Sequence, residues 1–116
     1  MRKIDNVKKE IYLTKGDSFP LKFTARNKET QEPYILQPGD IVRFAVKKTY
    51  KDPDPLFYID SDTYYITIEP EHTEDLQAGK YVFDVQLTFA DGEKFTYIGE
   101  TDTVKPKFIL WNEVAR

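Results

Sequence analysis

The chain has 116 residues, room for one domain with a single core, and it carries eight Phe, eight Tyr and one Trp but no Cys. The lack of Cys excludes disulfides and thiolate metal sites, and a formal net charge of -3 argues against the broad basic surface of a nucleic-acid binder. No stretch approaches the roughly 20 apolar residues of a membrane-spanning helix and the polar start lacks the apolar core of a signal peptide, so the expectation is synthesis in a cytoplasm with no membrane partner.

Residues 1–9 mix Arg2, Lys3, Lys8 and Lys9 with Asp5 and Asn6, too polar to bury much surface, and are expected to form a flexible or partner-bound arm ahead of a domain at 10–111 and a short tail at 112–116. Ile11 and Leu13 alternate with Tyr12 and Thr14 as a first short strand, which the turn residues Lys15-Gly16-Asp17-Ser18 break. Phe19, Leu21, Phe23 and Ala25 then share one face of a second strand, with Pro20 confining its first half to an edge or bulge. The polar, Pro-containing stretch 27–40 reads as a loop with Tyr34, Ile35 and Leu36 tucked against the body. Val42, Phe44 and Val46 make the buried face of a central strand, and Pro53 and Pro55 force a surface excursion after it. Two short strands follow at 56–59 and 64–68, the second with Tyr64, Ile66 and Ile68 inward. Thr73 is expected to cap one helical turn beginning at Glu74 and Asp75 and closed by Gly79.

The strongest signal comes next. Tyr81, Phe83, Val85, Leu87 and Phe89 occupy every second position, which a strand of period two gathers on one face. Asp91-Gly92 suits a type I′ turn, so the chain should reverse and return through residue 99. Residues 104–111 resume an extended apolar pattern interrupted by Pro106, as in an edge strand. Aromatic-rich short strands separated by turn signals indicate an all-β sandwich of two antiparallel sheets.

Leu76-Gln77-Ala78-Gly79-Lys80-Tyr81 matches the tyrosine-corner pattern of Greek-key sandwiches, in which a Tyr near the start of strand F returns its hydroxyl to upstream backbone. Tyr81 is therefore assigned a structural role, and Phe83 stands where an antibody domain has a disulfide Cys, leaving packing to hold the sheets. The order of signals as a whole resembles the immunoglobulin-like β-sandwich structural proteins of tailed bacteriophages and prophages. The resemblance rests on Thr14-Lys15-Gly16-Asp17-Ser18 with Leu21 and Phe23, on Gly39-Asp40-Ile41-Val42-Arg43-Phe44-Ala45-Val46, on Gly79-Lys80-Tyr81-Val82-Phe83-Asp84-Val85, and on Gly92-Glu93-Lys94-Phe95-Thr96-Tyr97-Ile98-Gly99. It implies an immunoglobulin-like antiparallel Greek-key sandwich of about seven to eight strands, with one short helical turn before strand F. It also implies a structural component of a virion tail, baseplate or neck, and carries no catalytic site.

The residues offer little reaction chemistry. His72 is the single histidine, and a zinc site without a second His or a Cys would need an uncommon carboxylate-rich ligand set. Ser18 and Ser61 lack a nucleophile elbow. Asp52, Asp54, Asp60 and Asp62 fall on neighbouring loops of the kind that can bind calcium, although Asp is an ordinary turn former. Lys47 and Lys48 are too sparse for a nucleic-acid footprint. No enzyme, cofactor, metal or nucleic-acid role is expected. The run Phe108-Ile109-Leu110-Trp111 is the candidate for contact with copies of itself or with other virion proteins, through apolar side chains that need cover. The alternative is a carbohydrate-binding module that stacks cell-surface glycans on Tyr58, Tyr65, Tyr97 and Trp111.

Overall fold

The computed structural model describes residues 2–6, 8–26, 29–98 and 105–112, with Tyr97 described by its backbone alone. The expected end of the hairpin at residue 99 and residues 113–116 of the expected tail lie outside the described residues. In chain order the elements are β1 (Arg2–Asp5), β2 (Glu10–Thr14), β3 (Phe19–Lys22), β4 (Ile41–Lys47), β5 (Phe57–Ser61), β6 (Tyr65–Ile68), α1 (Pro70–Thr73), β7 (Gly79–Thr88), β8 (Lys94–Ile98) and β9 (Lys107–Trp111). One sheet of seven strands runs β1-β2-β9-β7-β4-β5, with β8 also paired to β7, and a second sheet pairs β3 with β6.

Alternation decides which residues lie between the sheets. In β7 the side chains of Tyr81, Phe83, Val85 and Leu87 are buried, while Val82, Asp84 and Gln86 between them remain partly exposed. The same period turns Ile11 and Leu13, Val42, Phe44 and Val46, and Phe108 and Leu110 inward from the large sheet, against Phe19, Leu21, Ile66 and Ile68 of the small one. The fold is thus all-β and sandwich-like, with one shared core. Its centre is aromatic: Phe23, just past β3, stacks on Phe44 at 5.6 Å, and Phe83 touches both, at 6.4 Å from Phe23 and 5.5 Å from Phe44.

β7 lies between β4 along one edge and two strands along the other, β9 opposite 79–82 and β8 opposite 85–88. The junction between those two is held by Tyr50, whose hydroxyl lies 2.6 Å from the Pro106 carbonyl oxygen and 2.9 Å from that of Phe83. Tyr81 is buried, and its hydroxyl donates to the Gln77 carbonyl oxygen at 2.5 Å.

Five local expectations are corrected. The large sheet is mixed, because β2 runs parallel to β9 in the register Ile11↔Phe108 and Leu13↔Leu110; alternation fixes which face a residue takes but not strand direction. Residues 2–5 are a paired strand instead of a loose arm, held by main-chain bonds to β2 that need no apolar side chains, by Arg2 donating to the Ser18 carbonyl at 3.0 Å and by Lys3 over the Tyr12 ring at 5.3 Å. The hairpin after β7 is a three-residue loop instead of a type I′ turn. Only Gly92 of the Asp91-Gly92 pair has positive φ, its N–H donates to the Phe89 carbonyl, and the Asp91 carboxylate accepts the Glu93 N–H at 2.9 Å.

The helical turn starts earlier than Thr73, since Pro70 is preorganised for the first helical position and His72 Nδ1 accepts the Glu69 N–H at 2.8 Å. Thr73 lies buried inside it. Ile35 is 76% exposed, whereas its neighbours Tyr34 and Leu36 do pack on the core.

Replacing Tyr81 with Phe removes one hydrogen bond and leaves the Gln77 carbonyl to water. Urea denaturation of Tyr81→Phe is expected to show a loss of about 1 kcal/mol with an unchanged slope.

Candidate interaction surface

The run singled out for contact is mostly interior. Phe108 and Leu110 are fully buried on the face turned to the small sheet, and Ile109 on the opposite face is buried too, because β9 is an inner strand flanked by β2 and β7 and not the edge strand expected from Pro106. Of the four, only Trp111 is accessible, at 41% exposure, with its ring tilted against Tyr12 at 5.7 Å.

The exposed aromatics do not form one platform. Tyr58 lies on the outer face of the large sheet beneath the Arg43 guanidinium, 4.0 Å from its ring centre. Trp111 is three strand steps from β5 in that sheet, roughly 15 Å at ordinary strand spacing. Tyr65 belongs to the other sheet, with Lys22 over its ring at 5.2 Å. The Tyr97 side chain lies outside the described set. Flat stacking of one sugar chain needs rings that share a surface, and these three do not.

The polar candidates are engaged in local structure. His72 stacks on Phe57 at 5.5 Å and, through Nδ1, holds the start of α1. The Ser61 hydroxyl accepts the Thr63 N–H at 3.0 Å. Asp52 accepts the Thr49 N–H, Asp60 receives two bonds from Arg43 at 2.7 and 2.9 Å, and Asp54 and Asp62 are exposed. Among the described residues no group of three or more His, Cys, Asp or Glu is placed to hold a metal.

The structure adds a polar cluster that the sequence marked only as a strand start. Asp40 is 2% exposed, yet its carboxylate accepts the Tyr34 hydroxyl at 2.6 Å, the Gln37 N–H at 2.8 Å and the Ala90 N–H at 3.0 Å. It thereby ties the loop before β4 to the β7–β8 hairpin. Gly39 beside it has φ +93°, and a Cβ there would stand 2.9 Å from the Ala90 Cβ, so the close approach requires glycine. The Tyr34 hydrogen bond, aided by the two backbone donors, holds the Asp40 carboxyl below the usual carboxylate range, and the same bond pushes Tyr34 up to about 12. Next to this latch an open groove of about 410 Å³ is lined by Tyr34, Leu87, Phe89 and Phe95.

Open sheet edges complete the surface, and they differ in their protection. Lys, Pro and short length are the usual means of blocking pairing with foreign strands. β1 carries Arg2 and Lys3, β3 carries Pro20 and Lys22, and β8 carries Lys94. β5 (FYIDS) and β6 (YITI) carry no Lys, Arg or Pro; β5 carries the single charge of Asp60, and β6 is as short as β1 and β3. Three of the exposed large apolar side chains, Leu56, Tyr58 and Tyr65, lie on or immediately before these two strands. No helix among the described residues is long and apolar enough to cross a membrane. No protein-family model, curated protein or solved structure matches the chain.

Two substitutions separate core from surface. Phe108→Ala is expected to cost about 3–5 kcal/mol in denaturant unfolding, the range for a fully buried Phe, whereas Trp111→Ala should cost far less. Because the folded-state pKa of Asp40 lies below its unfolded value, its stabilisation is complete above about pH 4 and is lost as pH falls through the lowered value. Thermal melts of Asp40→Asn are expected to lie several degrees below wild type at neutral pH, with the gap closing in acid.

Proposed function

We propose that the protein is a non-enzymatic building block of a phage or prophage particle, a tail, baseplate or neck component that works through contacts between proteins. The observation that carries this reading is the pair of sheet edges without Lys, Arg or Pro, β5 and β6, with Leu56, Tyr58 and Tyr65 exposed beside them. A domain that offers unpaired main-chain groups next to apolar side chains is suited to adding strands from neighbours.

The phage assignment draws on the sequence resemblance, and an immunoglobulin-like Greek key is the finer reading of the fold. In that reading β2, β9 with β8, β7, β4 and β5 correspond to strands A′, G, F, C and C′, and β3 and β6 to B and E. The parallel β2–β9 pair and the Tyr81 hydroxyl bonded to a carbonyl four residues upstream support it.

The test is mass spectrometry of particles purified from a strain that carries the gene, alongside a strain in which the gene is deleted. The chain is expected in the particles at fixed stoichiometry, with particles incomplete or missing in its absence. Normal particles from the deletion strain, with the wild-type chain confined to the unassembled fraction, would contradict the proposal.

A further inference from the structure

Of these two edges, β5 carries a charge that, with Arg43 beside it, is arranged to suit a copy of itself. Its outer-face residues are Tyr58 and Asp60, and Arg43 on the neighbouring strand reaches both, bonding Asp60 at 2.7 and 2.9 Å and covering the Tyr58 ring at 4.0 Å. Its inner-face residues Phe57 and Ile59 are only half buried, although both pack against the core.

Antiparallel pairing about a two-fold axis perpendicular to the sheet keeps inner faces together, so the axis must pass beside a residue and not between two. With the axis at Ile59, Tyr58 of each copy lies opposite Asp60 of the other, and Ile59 meets Ile59 across the axis. Each Arg43, already over its own Tyr58, then stands between two carboxylates, its own Asp60 and the second copy's. Two guanidinium groups and two carboxylates alternate on the outer face, and the half-exposed isoleucines cover each other on the inner one.

We propose that two copies of this chain associate through β5 in this register, joining their large sheets into one continuous sheet. The inference rests on the assembly reading and names a partner surface for it. It is tested on the isolated protein, so its failure leaves the particle experiment to be decided separately.

The chain has no Cys, so a single introduced thiol reports pairing without background. Opposed residues on paired strands bring their Cβ atoms to about 5 Å, and offset neighbours stand about 7–8 Å apart. Ile59→Cys is therefore expected to oxidise to a covalent dimer much faster than Tyr58→Cys, whose two thiols would be offset. Light scattering on the unmodified protein should move from the 13.6 kDa monomer mass to twice that value as concentration rises, and added salt should weaken the shift.

Tyr58→Glu supplies a second test that does not depend on the half-buried position. Beside Arg43 the new carboxylate is compatible with the monomer, but in the dimer it faces Asp60 of the other copy, so dimer formation should be lost while circular dichroism stays native. A monomer at every accessible concentration would overturn the proposal, as would a dimer that survives Tyr58→Glu or thiols at 58 that couple as fast as those at 59.

Discussion

Phe83 stands where the main dependencies of the fold meet. Its ring touches Phe23 from the small-sheet side and Phe44 from the neighbouring strand of the large sheet. Its N–H reaches the Pro106 carbonyl oxygen at 3.4 Å, and its own carbonyl lies within reach of the Tyr50 hydroxyl. One residue thus couples the packing of the two sheets to the point where β8 gives way to β9 along the edge of β7. With no disulfide available, this coupling is left to close packing and main-chain pairing, whose strength falls quickly when a buried ring is lost.

From that constraint follows a division between interior and surface. β9 is enclosed by β2 and β7, and its Phe108 and Leu110 complete the chain's own core. Asp40 closes the end where the β7–β8 hairpin meets the preceding loop, and it does so with three donors on one carboxylate. What remains open is the side formed by β5 and β6. There the edge strands lack the Lys, Arg or Pro that the other edges carry, and the Arg43–Asp60 pair at 37–42% exposure contributes little to monomer stability.

The inner rows of β4 and β7 are legible in the sequence because period-two alternation leaves one way to bury Val42, Phe44 and Val46 in the one and Tyr81, Phe83, Val85 and Leu87 in the other. The Tyr81 hydrogen bond was legible too, since the residues around it form a recognised corner. Strand direction was not, as Ile11 and Leu13 would face the core equally well in a parallel or an antiparallel pair. β1 was invisible because its stability comes from backbone pairing, and backbone groups leave no trace in residue type. The run 108–111 reads as a contact surface because strong hydrophobicity marks a need for cover without saying whether the cover comes from the same chain. The role of Asp40 is hidden for a related reason: the residues that satisfy it lie as far as 50 positions away. Edge protection, by contrast, can be read from composition once the strands are known.

In the proposed assembly, β7 and its flanking strands form a closed interior and contact between copies is confined to the β5 side. Amide hydrogen exchange followed by mass spectrometry, on dilute and on concentrated protein, tests both parts at once. Peptides from β4, β7 and β9 should be the slowest to exchange at either concentration, and peptides covering 56–61 should gain protection as concentration rises. Rapid exchange in β9, or concentration-dependent protection there in place of β5, would contradict it.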